Sequence, residues 1–214
     1  MKIRIFIFII IFSCIVCAVK QYTFAQNMQE GISSVVPVNI EDEFFNKLVQ
    51  GAIERTKRTH FYDPAYKRIK YPNGDIPDDR GVCTDVIVRS YRMAGIDLQK
   101  EIHEDMKNNF NKYPQKWGLR GPDQNIDHRR VPNLMKYFER QNANKNITQN
   151  VNDYSPGDVV AWKLDNGLLH IGLVINEKNS DRSSFLIVHN IGNGTQKEDV
   201  LFNWEIIGHY RYKN

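Results

Sequence analysis

Three residues able to do covalent chemistry together stand in order along the chain: Cys83, His170 and His189. A thiolate is a strong nucleophile, an imidazole within reach can take its proton, and a third polar group can fix the imidazole's ring and tautomer. Cys83 lies in Arg80-Gly81-Val82-Cys83-Thr84-Asp85-Val86-Ile87, where a loop turns into a helix. First-turn N–H groups and the helix dipole favour thiolate over thiol at such a place. Gly81 lets the backbone turn sharply into it. Asp85 opposes the effect, because a second negative charge nearby raises a thiol pKa. The competing reading is a buried cysteine that packs as a small hydrophobe.

His170 opens the run His170-Ile171-Gly172-Leu173-Val174-Ile175 after a hairpin at 163–169. Strand alternation puts His170, Gly172 and Val174 on one face. The missing side chain at Gly172 predicts that a helix tip carrying the sulfur approaches on that face. His189 and Asn190 end the run 185–191 and point to opposite faces, both apolar, so either can be the group that orients the base. Each histidine can equally be a hydrogen-bonded core residue without a chemical role. His103, on a polar helix, is expected to be solvated. The spacings lack any C-x-x-C or H-x-x-x-H pair, so neither a metal nor another cofactor is expected.

A second polar group, Asp127-His128-Arg129-Arg130, follows a loop holding Gly118, Gly121 and Pro122. Guanidinium groups read carboxylates in bidentate fashion, and the neighbouring helix start favours anions. These four residues, with Asp85 and Asn190, are the candidate substrate-binding set. The alternative is a solvated charge run in which Asp127 neutralises one arginine.

The elements that must position these groups are legible from pattern. Phe44, Phe45, Leu48, Val49, Ala52 and Ile53 predict an amphipathic helix over 41–60. Pro64, Pro72, Pro77 and Asn73-Gly74 make 62–80 a loop with turns. Helices follow over 83–94, closed by Gly95, over 98–110, and from Pro132 onward. Strands are predicted over 158–164, 170–176, 185–191 and 206–212, with a weaker one over 198–202. Helices first and strands second imply an α+β domain: a five-stranded antiparallel sheet with helices packed on one face.

The start of the chain bears on compartment. Met1-Lys2-Ile3-Arg4, an uncharged apolar run over 5–19 and Thr23-Phe24-Ala25 have the order of a secretory signal peptide over 1–25. The apolar run is shorter than the roughly 20 residues of a spanning helix, so membrane contact is expected only through an uncleaved leader. A flexible segment over 26–40 then leads into one domain over 41–214. The leader holds Lys2, Arg4 and Lys20 and no acid; without it 26 of the 29 basic residues face 25 acidic ones. That balance gives no electrostatic case for a nucleic-acid partner. Cys14 and Cys17 also fall in the leader, which leaves Cys83 alone in an exported, periplasmic or secreted protein, where cysteines are normally paired.

A cysteine at a helix start, Pro156-Gly157-Asp158 opening a strand, and His170-Ile171-Gly172-Leu173-Val174 opening the next resemble the NlpC-type peptidases, a papain-like superfamily of bacterial cell-wall hydrolases. The chain is similar to an exported branch of that superfamily. The likeness runs from about Gly81 to the C-terminal end, and the helix and loop over 41–80 lie outside it. It implies a papain-like fold with Cys83 as nucleophile, His170 as base and His189 as orienter. It also implies an exported cysteine peptidase or amidase acting on peptidoglycan stem peptides. The usual Asp-Cys-Ser-Gly of that family is replaced here by Val82-Cys83-Thr84-Asp85, which separates this substrate from the family's more than it separates the chemistry. The alternatives are a non-catalytic wall-binding domain on a degenerate peptidase scaffold and a papain-like acyltransferase.

Overall fold

The computed structural model describes residues 37–214; the expected leader and residues 26–36 of the segment after it lie outside the described residues. Helix α1 (Glu43–Arg58) begins where the Asp42 carboxylate accepts the N–H groups of Phe44 and Phe45, satisfying donors that a helix start leaves orphaned. Two short strands, β1 (Phe61–Tyr62) and β2 (Arg80–Gly81), pair in parallel across the proline-rich loop. Helices α2 (Cys83–Met93), α3 (Leu98–Asn109) and α4 (Val131–Arg140) follow. Gly95, at φ +94°, ends α2, and Pro132 occupies the first turn of α4.

The second half is a single sheet of β3 (Val159–Lys163), β4 (Leu169–Lys178), β5 (Phe185–Asn190), β6 (Thr195–Glu198) and β7 (Glu205–Tyr210). Its spatial order is β6-β5-β4-β3-β7, and every neighbouring pair is antiparallel. This is the α+β architecture that the sequence order predicts.

Both faces of the sheet are buried, which the one-sided expectation missed. Leu48, Val49, Val86, Ile87, Tyr91, Leu134 and Phe138 from the helices pack on Val159, Ala161, Ile171, Leu173, Ile175 and Val188. On the other face Tyr154, Val160, Trp162, Val174, Ile187, Val200, Leu201 and Ile206 form a second cluster, against which Val151 of the short 3-10 turn Val151–Asp153 also packs. The Trp162 indole N–H donates to the Leu201 carbonyl at 2.9 Å. Val200 and Leu201 are the residues that suggested a fifth strand over 198–202. They lie instead in a turn that roofs the second cluster. The strand itself is the polar Thr195–Glu198 at the sheet edge, where alternation gives little signal.

One glycine explains the turn into β3. Gly157 has φ +94°, and a Cβ there would come within 2.6 Å of the Phe45 ring, so the turn is packed directly onto α1. At the far end of the domain Lys213 reaches back to Asp42 at 2.8 Å, while the Val38 N–H donates to Asn176 on β4. No helix among the described residues is long and apolar enough to cross a membrane.

Candidate active site

Cys83 is the first residue of α2 and is only 6 % exposed. The backbone N–H groups of Ile171, Thr84 and Cys83 itself favour the thiolate. Burial acts the other way and is the larger effect. It pushes the thiol up to about 12, with Asp85 adding to the rise. The expected thiol acidification at the helix start is therefore overturned: desolvation outweighs the dipole. Tyr62 on β1 is half-exposed, and burial, with the Cys83 charge adding to it, raises its phenol; nothing in its sequence context marked it.

His170, on β4, precedes Ile171, whose N–H favours the Cys83 thiolate. Its Nε2 lies 2.8 Å from His189 Nδ1, both rings buried. Trp162 stacks against the His170 ring at 5.9 Å between centroids, and Trp204 meets it edge-on at 5.9 Å. This dry, aromatic setting pushes the imidazole down to about 3, with His189 adding to the fall, so His170 is neutral at ordinary pH. Its Nδ1 has no hydrogen-bond partner among the described residues.

Gly172 does not do what its place beside His170 suggested. Its open side faces Ile187, His189 and Trp162, and a Cβ there would come within 2.7 Å of Ile187. The glycine makes room for the second cluster rather than for the helix tip. Cys83 belongs to the helix-side cluster with Ile171 and Leu173.

The strand β5 separates the two candidate orienters. His189 shares the His170 face, and its Nε2 lies 2.9 Å from an oxygen of Glu198 on the edge strand β6. Asn190 points to the helix side, where its amide donates to the Gly81 carbonyl at 3.0 Å and its oxygen accepts the Gly192 N–H at 3.2 Å. One residue thus touches the imidazole and the other holds the turn before Cys83. Glu198 was missed because the edge strand was placed three residues late. A strand over 195–198 puts Glu198 opposite Ile187, on the face that His189 shares.

The candidate substrate-binding set belongs to the scaffold. Asp85 accepts the Val82 N–H at 2.7 Å and so caps α2. Its carboxylate also pairs with Arg129, whose Nε is 2.9 Å away. The remaining Arg129 donors go to the carbonyls of Ala65 and Asp63 at 2.9 and 2.8 Å. Asp127 accepts from the Asp123 N–H and from Arg130, and its burial raises it to about 6. Burial, with the Arg129 charge beside it, takes His128 down to about 3. Arg130 lies over the Trp117 ring at 4.0 Å. The segment is neither a carboxylate-reading wall nor a solvated charge run: Asp127, His128 and Arg129 are buried, and the polar groups of Asp127 and Arg129 hold the loops around α2. His103 is likewise buried, edge-on to Tyr71, not solvated.

A family model described as "Domain of unknown function (DUF1287)" matches residues 49–212. Over 165 residues the chain is 53% identical to "Uncharacterized protein YijF" of Escherichia coli (strain K12), covering 77% of this chain and 80% of the relative. Among solved structures, NlpC1 from Trichomonas vaginalis matches with a TM-score of 0.42 and 13% identity, over 82% of this chain and 46% of that one. A lipoprotein-like member of the NLP/P60 family from Staphylococcus aureus subsp. aureus Mu50 matches with a TM-score of 0.39 and 14% identity, over 88% of this chain and 48% of that one. The chain spans about half the length of those two structures.

Proposed function

The chain belongs to the DUF1287 family, and from that premise we propose that it is a cysteine hydrolase that cleaves an amide bond, with Cys83 as nucleophile and His170 as base. The observation that carries this reading is the buried His170–His189 pair on β4 and β5, with Cys83 at the start of the helix that packs against β4. Thiol and imidazole are both held neutral, so the proton moves as the sulfur attacks rather than beforehand.

The thiol proton passes to His170 Nδ1 as the sulfur bonds to the carbonyl carbon. The N–H of Cys83, at the start of α2, is the donor available to the oxyanion. The imidazolium gives its proton to the leaving amine, and a thioester remains. Water then adds with His170 as base, releasing the acid and restoring the thiol. Peptidoglycan stem peptides are the substrate we propose, on the resemblance of the Cys83 and His170 segments to NlpC-type peptidases and on the signal-like leader. The same leader supports an exported protein, and N-terminal sequencing of material recovered from outside the cytoplasm should begin at Gln26.

The test is mass spectrometry of purified wall fragments before and after incubation with the protein. New amine and carboxyl ends are expected, and Cys83→Ala or His170→Ala should each lower the rate by at least about a thousandfold, with the double variant no worse. A near-normal rate in His170→Ala would sink the base assignment. A second reading, a wall-binding domain without turnover, is favoured by the burial of the thiol and its shift to about 12. In that case no fragment is cut, and blocking the thiol leaves wall binding unchanged.

A further inference from the structure

We propose that Glu198 is a positioning residue that sets the tautomers of both histidines, so that His170 presents its lone pair at Nδ1. The inference rests on the reading of Cys83 and His170 as the reacting pair, and it adds a residue from the sheet edge to that site.

A neutral imidazole carries one proton, and its position is set by the partner at the other nitrogen. The His170 Nε2–His189 Nδ1 contact at 2.8 Å joins the two rings, so only two arrangements place one proton between them. In the first, His170 is protonated at Nε2 and donates to His189 Nδ1. His189 then carries its own proton at Nε2, facing Glu198. In the second, His189 donates from Nδ1, its bare Nε2 lone pair faces Glu198, and His170 carries its proton at Nδ1. An ionised carboxylate only accepts. It is attracted to the N–H of the first arrangement and repelled by the lone pair of the second.

The surroundings leave Glu198 this role. The buried His189 Nε2 has no fully aligned hydrogen bond, and the nearest acceptor is Glu198 Oε2 at 2.9 Å. The Glu198 side chain is 41 % exposed and free to rotate into line. Among the described residues it forms no ion pair with lysine or arginine; its neighbour Lys197 pairs across the strands with Glu177. The Glu198 charge also raises the His189 pKa against the larger effect of burial. The register sets Glu198 opposite Ile187, diagonal to His189 on the same face. Only the first arrangement leaves His170 Nδ1 bare, as a base must be, and the described residues give that atom no other partner.

The experiment is long-range proton–nitrogen NMR of the whole chain labelled at histidine, at neutral pH. The expected result is Nε2–H at both His170 and His189 in the unaltered protein. Glu198→Ala should move His170 toward a mixture with Nδ1–H, and Glu198→Gln, which keeps an accepting oxygen, should restore the original tautomer. On a cleavable wall fragment, Glu198→Ala should lower kcat about tenfold with KM unchanged, and Glu198→Gln should recover most of it. Tautomers that do not respond to Glu198→Ala, or Nδ1–H at His170 in the unaltered protein, would overturn the proposal. Tautomers that respond in a protein that cuts no wall fragment would leave Glu198 as the positioning residue and count against the hydrolase reading instead.

Discussion

Two buried polar clusters flank the start of α2, and they are finished differently. Around Arg129 the donors that face inward meet acceptors: the Asp85 carboxylate and the carbonyls of Asp63 and Ala65. Arg89 repeats the pattern one turn along, on Asp75, the Thr59 hydroxyl and the carbonyls of Arg80, Ile76 and Pro77. Around His170, by contrast, Nδ1 has no hydrogen-bond partner among the described residues, and the buried His189 Nε2 has only the Glu198 carboxylate beside it, out of line. Buried polar groups are almost always satisfied, so a cluster left open is a better guide to chemistry than one that is closed. Charge density alone pointed the other way, to Asp127-His128-Arg129-Arg130.

The contrast breaks most visibly at Arg129. Arg129→Met strands Asp85 as a buried, uncompensated charge and should cost about 3–5 kcal/mol in urea unfolding. His170→Gln should cost no more than about 1.5 kcal/mol while removing turnover. Equal costs would make both clusters structural.

Acid sharpens the comparison next. His170 and His128 are held neutral in the fold, each down to about 3, and both take up a proton near their ordinary value once unfolded. The unfolded chain therefore binds more protons between about pH 6.5 and 3, and stability falls as pH falls through that window. Each histidine contributes at most ~1.4 kcal/mol per pH unit. Asp127, raised to about 6, works in the opposite sense between its ordinary value and 6 and offsets part of the slope. Thermal unfolding across the range should show the decline, and His128→Gln should flatten it. A flat profile in the unaltered protein would remove the case for two neutral buried imidazoles.

The smallest effect is expected at Asn190. Asn190→Ala loses the bond to the Gly81 carbonyl and should cost about 1 kcal/mol by urea unfolding. The histidine tautomers should stay as they are, because Asn190 lies on the other side of β5. A tautomer change in this variant would mean that the two faces communicate.

The sequence made most of the scaffold legible and rather less of the site. The helix over Cys83–Met93 and its stop at Gly95 follow from the spacing of Val86, Ile87 and Tyr91, and four strands fall within a few residues of their runs. Periodicity reports burial, however, and Val200 and Leu201 are buried from a turn, so they drew the fifth strand away from Thr195–Glu198. That slip hid Glu198. Strands β1 and β2, two residues each, are too short to carry a period at all. The sign of the Cys83 shift was not readable either. Dipole and charge are properties of neighbours in sequence, whereas desolvation depends on what the rest of the fold lays over the sulfur.

The contact between Lys213 and Asp42 has a topological consequence. An exposed pair of this kind adds little to stability, but it records that the last residues of the domain finish beside the cap of its first helix. A linker from the last residues to the segment before Asp42 would span a contact the fold already makes, and the chain could be opened instead at the β3–β4 hairpin tip around Asn166 and Gly167, a turn where Gly167 has open space around it. Such a circularly permuted protein would present Cys83 and His170 in the reverse order along its sequence while keeping them together in space.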